Sequence, residues 1–287
     1  MPVLSWVDFS VDKVIKPMSL YLENGDFLFL AGETEHGILL RALAGFMPKE
    51  SNCTKAARVK GKSLNGEKLP AVLLPKNAVE ALPKHRTIRE FALDISNNRT
   101  KQTLEKYAVE CGIDIDFLNC KPAELDLHDL QKITLWLTSL YKTVAIFVEE
   151  PECGFCHSVR PLDFLQNMLK IGTTSCVVYF TPQKENILAK AKNLQFCNAK
   201  VAVFCADMLV EYGDASSVLC NPQHAYTKEY LKSGVAMRKK NGSLWNYCAA
   251  DCDNSPNCPK RIADPPTMQD CNDTNTGEHR VICLRAV

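Results

Sequence analysis

Cysteine offers the most obvious chemistry in this chain. Fourteen cysteines occur in 287 residues, and in a reducing compartment a thiol stays free unless it holds metal or does redox work. Their distribution separates two groups. Nine lie between Cys53 and Cys220, mostly in apolar stretches such as those around Cys176, Cys197 and Cys205, where cysteine acts as a small buried hydrophobe. Within that group, Cys153-Gly-Phe-Cys156-His157 has the spacing of a c-type haem attachment site and of a dithiol redox pair. Haem attachment requires export, and the opening MPVLSWVDF lacks the basic region, long apolar core and small-residue cleavage site of a secretory signal. The spacing is therefore read as coincidence, with a redox- or metal-sensitive loop as the alternative. The other five, Cys248, Cys252, Cys258, Cys271 and Cys283, crowd into the last 40 residues. Clustered thiolates suit an iron–sulfur cluster or zinc, and sequence does not separate the two.

The elements that must carry these residues follow from hydrophobic patterning. The runs 26–32 (DFLFLAG), 71–75 (AVLLP), 143–150 (TVAIFVEE), 175–181 (SCVVYFT) and 199–213 (AKVAVFCADMLVEYG) are short, β-branched and apolar, and turn formers bound them. They read as buried strands. Helical periodicity fills HGILLRALAGF after the first run, HDLQKITLWLTSLYK before the third and VRPLDFLQNMLKIG after it. Strands alternating with helices predict a parallel or mixed sheet with helices on its faces. After residue 236 the composition shifts through the basic, turn-forming MRKKNGS to Asp, Asn, Pro and Cys. Two units are expected: residues 1–236, and a Cys-rich appendage over 237–287 too small to hold a core without a staple.

Global composition narrows the function classes. Lys plus Arg is 34 against 33 for Asp plus Glu, a net charge of +1, so no nucleic-acid partner and no anionic lipid surface is expected. No apolar run approaches the roughly 20 residues of a membrane-spanning helix.

In order along the chain, these pieces resemble the nucleotide-binding subunits of ABC transporters, in particular the oligopeptide and dipeptide permease group (Dpp, Opp and Sap-like). The most specific stretch is KVAVFCADMLVEYGDASSVLCNPQHAYTKEYL (200–231). It follows that group's strand, turn, "VE-G" and "P-HPYT--L" pattern, with Pro222, His224, Tyr226, Thr227 and Leu231 in register and Ala225 in place of a proline. A second anchor is VAIFVEEPECGFC (144–156), which aligns without gaps on the Walker B strand and its loop. The resemblance implies a P-loop NTPase-like α/β cassette, with a mixed sheet flanked by helices, a helical subdomain and the small Cys-rich tail. It also assigns roles: Glu149 stands at the Walker B Asp position that orders Mg2+, and Glu150 at that of the Glu that polarises the attacking water.

Other positions depart from the family's pattern. A phosphate loop needs curled glycine-rich backbone, a Lys for the β/γ-phosphates and a hydroxyl for magnesium. The corresponding GETEHGILLRALAG (32–45) is about two residues short and supplies neither Lys nor hydroxyl. Gly32 and Gly37 remain as remnants of that loop, with Glu33 and Glu35 adding negative charge where phosphate would sit. The signature motif becomes LDLHDLQK (125–132), with Asp126 for its serine and Leu127 and His128 for its glycines. The Gln after the second strand becomes Pro75, the His after the fourth becomes Pro182, and the Asp closing the Walker B loop becomes Cys156. Each change removes a charge, a ligand or a positioning group. A pseudo-ATPase is expected, with ATP and Mg2+ held weakly or lost.

In the tail, Cys252, Cys258 and Pro259 reproduce the family's C-x5-C-P, and GEHRVIC resembles its closing motif. The resemblance makes Cys252, Cys258, Cys271 and Cys283 candidate ligands for a 4Fe-4S cluster or Zn, with Cys271 about six residues later than the family's third cysteine. It further implies a peptide-importer subunit lying peripherally on the cytoplasmic face of the inner membrane. Its partners would be a paralogous ABC ATPase subunit, as a heterodimer, and the ABC permease membrane subunits. The alternative is a metal- or redox-responsive regulatory scaffold derived from such an ATPase.

Overall fold

The computed structural model describes residues 2–11, 15–33, 36–46, 57–64, 69–96, 100–151, 160–181, 187–194, 197–205, 208–232, 268–270 and 279–282. Strands β1 (Leu4–Val11), β2 (Ile15–Leu22), β4 (Arg58–Val59) and β5 (Lys62–Ser63) form an antiparallel sheet in the order β2-β1-β4-β5. The larger sheet contains β3 (Asp26–Glu33), β6 (Ala71–Leu74), β7 (Ala145–Glu149), β8 (Cys176–Phe180), β9 (Asn198–Cys205), β10 (Met208–Asp214), β11 (Met268–Asp270) and β12 (His279–Ile282). Its order is β11-β12-β10-β9-β3-β8-β7-β6. The pairs β3·β8, β3·β9, β6·β7 and β7·β8 are parallel, and those involving β10, β11 and β12 antiparallel. The sheet is thus mixed.

The central strands are continuous apolar runs because both of their faces are buried. Leu28 and Leu30 of β3 join Trp6, Leu40, Leu43 and Phe147 on the face shared with β1, β2 and α1 (His36–Leu43). Phe27, Phe29 and Ala31 point the other way, with Tyr179, Leu165 and Val203, towards α5 (Pro161–Lys170) and α6 (Ile187–Lys192). A third core belongs to the helical unit of α2 (Ile88–Ile95), α3 (Lys101–Glu110) and α4 (Leu127–Ser139), where Ile88, Ala92, Leu104, Ile133 and Trp136 pack together. Thr87 starts α2 with a capping box, its hydroxyl accepting from Glu90 N while the Glu90 carboxylate accepts from Thr87 N.

Two features differ from the reading of the sequence. The run 199–213 is two strands, β9 and β10, paired antiparallel with Cys205 opposite Met208. The antiparallel pair β1·β2 was not anticipated; β1 alternates imperfectly because its register shifts between Trp6 and Phe9, where Asp8 takes φ 47°. Beyond β10, α7 (Ala215–Cys220) and α8 (Ala225–Lys232) close the sheet's end. The described parts of the tail return to this edge, with β12 pairing Val281 to Glu211 of β10. No helix among the described residues is long and apolar enough to cross a membrane.

Candidate functional site

Because β3, β6, β7 and β8 run parallel, their C-terminal ends gather Gly32, Pro75, Glu149, Glu150 and Thr181 along one edge of the sheet. Glu149 is the last residue of β7, opposite Phe180. Its carboxylate rests against the first turn of α1: a Cβ built on Gly37 would lie 3.3 and 3.4 Å from its two oxygens. Oε2 also accepts a hydrogen bond from Lys76 N at 3.3 Å. A carboxylate at a helix N-terminus meets the positive end of the peptide dipoles, as a phosphate would.

Glu150 follows, its N–H donating to Phe180 O at 2.9 Å. Its carboxylate is buried and paired. Lys190 of α6 places Nζ 2.6 Å from Oε2 and 3.0 Å from Thr181 Oγ1, with the two ionic side chains only 18% and 8% exposed. The same ammonium lies 5.5 Å from the centre of the Tyr179 ring. Burial, and then the Glu150 charge, push the Tyr179 phenol well above its ordinary pKa. Lys190 was not identified from sequence.

Gly32 and Gly37 come to the same edge for different structural reasons. Gly32 has φ +106° and pairs with Phe204, and a Cβ there would fall 1.7 Å from Phe204 O. No side chain fits between these strands. Gly37 leaves room for the Glu149 carboxylate.

At the start of α4, Asp126 is the N-cap and its Oδ1 accepts from Asp129 N at 2.8 Å. His128 Nδ1 lies 3.2 Å from Asp129 Oδ1. This helix N-terminus is therefore already supplied with an acceptor, and the cluster of Asp126, His128 and Asp129 carries net negative charge when the imidazole is neutral.

The residues of the 200–231 motif form a buried clasp some way along the sheet. Glu211 is fully buried, and its carboxylate accepts from Gln223 N at 2.7 Å and His224 N at 3.2 Å. His224 Nδ1 in turn accepts from Tyr226 N at 3.1 Å, and Tyr226 stacks on Tyr230. Burial above all, with a smaller contribution from Lys228, lowers the His224 pKa to about 4 despite the opposing Glu211 charge. The motif ties the β10 edge to α8 through backbone amides.

Cys153, Cys156, His157, Pro182, Cys248 and the four candidate tail ligands Cys252, Cys258, Cys271 and Cys283 lie outside the described residues. Among the described cysteines, Cys120, Cys176 and Cys220 are free thiols. Cys176 is buried, which raises its thiol pKa far above the ordinary value.

No family model matches the chain, and no curated protein does so. Solved structures do. The ATP-binding subunit of an ABC transporter superposes with a TM-score of 0.56 at 14% identity, over 75% of this chain and 91% of that one. CbiO1 from Clostridium perfringens, part of the ABC transporter complex CbiONQ, gives 0.58 at 10% identity, over 77% and 91%. The mixed sheet, the flanking helices and the helical unit give this chain the fold of the ABC transporter ATP-binding cassette.

Proposed function

We propose that this chain is a cassette subunit of a peptide-type ABC importer whose own nucleotide site is impaired or silent. In this reading it pairs with an active paralogous ATPase and couples to permease subunits on the cytoplasmic face of the inner membrane. The solved structures of similar fold are ATP-binding subunits of transporters, and the 200–231 motif directs the reading to the peptide group.

One observation supports a loss of activity: carboxylates already stand at the helix starts and strand end where phosphate would be held. Glu149 sits on the first turn of α1, Asp126 caps α4, and Lys190 neutralises Glu150. Mg-ATP would have to displace two carboxylates by like charge and break an ion pair, with no loop lysine to compensate. The residues present do not fit the nucleotide, and no hydrolytic step is assigned to them. The tail belongs to the same reading as a candidate 4Fe-4S or Zn unit on Cys252, Cys258, Cys271 and Cys283.

Calorimetric titration of the full-length protein with Mg-ATP tests this proposal. No binding tighter than about 100 μM, or about −5.5 kcal/mol, is expected. Copurification with an intact paralogue and permease subunits is the positive counterpart. ATP turnover by the isolated chain that disappears in Glu150→Gln would overturn the reading.

A further inference from the structure

Glu149 and Glu150 are consecutive, yet only one has a cation. Glu150 is matched by the Lys190 ammonium. Glu149 accepts one hydrogen bond, from the backbone of Lys76, and forms no ion pair with any described residue; in particular, no salt bridge joins it to the Lys76 ammonium. An incompletely solvated carboxylate without a counter-ion favours any cation that can reach it.

What can reach it is set by the cleft in front of it. Glu149 lines a cavity of about 200 Å³ between the segment that follows β6 and one face of α4, whose apolar walls include Leu74, Val79, Leu127, Leu135 and Val148. Glu80, also on the wall, accepts from Asn77 Nδ2 at 2.9 Å. Thr134 donates its hydroxyl to Leu130 O at 2.7 Å. Glu80 and Thr134 thus have partners close by; the wall also carries Lys76, and with Glu80 and Glu149 opposite that one cation the slot keeps an excess of negative charge, with Glu149 at its end.

We propose that this slot binds a primary alkylammonium group, with the alkyl chain against the apolar walls and the ammonium on Glu149. A divalent cation fits less well, because it needs several oxygen ligands and the adjacent Glu150 carboxylate is held by Lys190. The chain already makes the same bond one residue away, at 2.6 Å. The inference rests on the reading that this edge no longer receives phosphate. An alkylammonium of this kind comes either as a free amine or as a lysine side chain of a partner, and both are protonated at neutral pH.

The test is calorimetric titration of the full-length protein at pH 7 with n-hexylamine, n-hexanol and Nα-acetyl-lysine N-methylamide. Hexylamine is expected to bind saturably, with hexanol at least about tenfold weaker, since only the amine makes the charge-assisted bond. Glu149→Gln should weaken hexylamine by a similar factor with unchanged circular dichroism, while Asp94→Asn, an exposed carboxylate that does not line the slot, leaves it unaltered. Leu135→Phe, which fills the slot and keeps the carboxylate, should abolish binding. A lysine derivative that binds as well as hexylamine assigns the slot to a partner's side chain, and one that binds more weakly assigns it to a free amine. Hexanol equal to hexylamine, indifference to Glu149→Gln, or hexylamine binding weaker than about 10 mM would overturn the proposal. A parallel Mg-ATP titration keeps the two readings apart: Mg-ATP binding with amine binding intact defeats only the silent-site reading, and absence of both ligands defeats only the amine slot.

Discussion

The large sheet carries a buried lysine–carboxylate pair at each of its two edges, and the two are built differently. At the N-terminal edge of β3, Lys200 Nζ lies 3.0 Å from Asp26 Oδ2, with side chains 8% and 1% exposed. Asp26 also accepts from Glu23 N at 2.7 Å and Asn198 Nδ2 at 3.4 Å, and the Lys200 ammonium lies 5.7 Å from the ring centres of both Tyr21 and Tyr212. That pair is well supplied: three donors reach the Asp26 carboxylate and two aromatic rings lie near the ammonium, as a buried charge requires. At the C-terminal edge, the Lys190–Glu150 pair is more open and adjoins a second carboxylate, Glu149, that forms no ion pair with any described residue. A well-supplied ion pair is a staple, whereas an ion pair beside an unmatched charge marks where a ligand enters.

Removing one partner of the well-supplied pair should have the largest effect. Lys200→Met leaves Asp26 charged and buried, and a loss of about 3–5 kcal/mol is expected, read as a lowered urea midpoint. A loss below about 1 kcal/mol would dissolve the distinction between the two edges. The His224 clasp, beside the same β10 strand, adds a pH dependence. Its folded pKa of about 4 lies below the ordinary value of about 6.5 for histidine, so the unfolded chain binds the extra proton over that interval. Stability from this group is therefore complete above about pH 6.5 and lost as pH falls towards 4, by up to about 3 kcal/mol. His224→Gln should flatten that part of the profile in urea titrations between pH 7.5 and 4.

Lys190→Met sharpens the comparison from the other side. Its ammonium is more exposed than that of Lys200, so the expected loss is smaller, about 2 kcal/mol, and Mg-ATP binding should not return because Glu149 still occupies the first turn of α1. Equal losses for the two lysine variants would contradict the assignment of one edge to structure and the other to a ligand. Arg86→Ala removes an exposed pair with Asp94 and should leave the urea midpoint unchanged, setting the baseline for the others.

The central strands were legible because a strand buried on both faces must be an unbroken apolar run, as Phe27–Ala31 and Ala145–Val148 are. The antiparallel β1·β2 pair was not, because the shifted register around Asp8 breaks its alternation. The break between β9 and β10 does not show in the apolar pattern, which runs through both strands; only the resemblance of 200–231 to the family's strand-turn pattern pointed to it. At the site, Glu149 and Glu150 could be found through the resemblance of 144–156 to the Walker B strand and its loop. The reason for Gly32 could not, since it depends on Phe204 from a strand far away in the chain.

By itself the sequence determined the kinds of elements, their order, and the two carboxylates at the end of the third apolar run, because those features depend on neighbours within a few residues. Only the tertiary structure decided which charges meet. Lys190 reaches Glu150 across 40 residues and Lys200 reaches Asp26 across most of the chain, while Glu149 has no ion pair among the described residues. A charge's partner is chosen by which strand ends and helices the fold brings within about 3 Å, and that choice has no periodicity to be read along the chain.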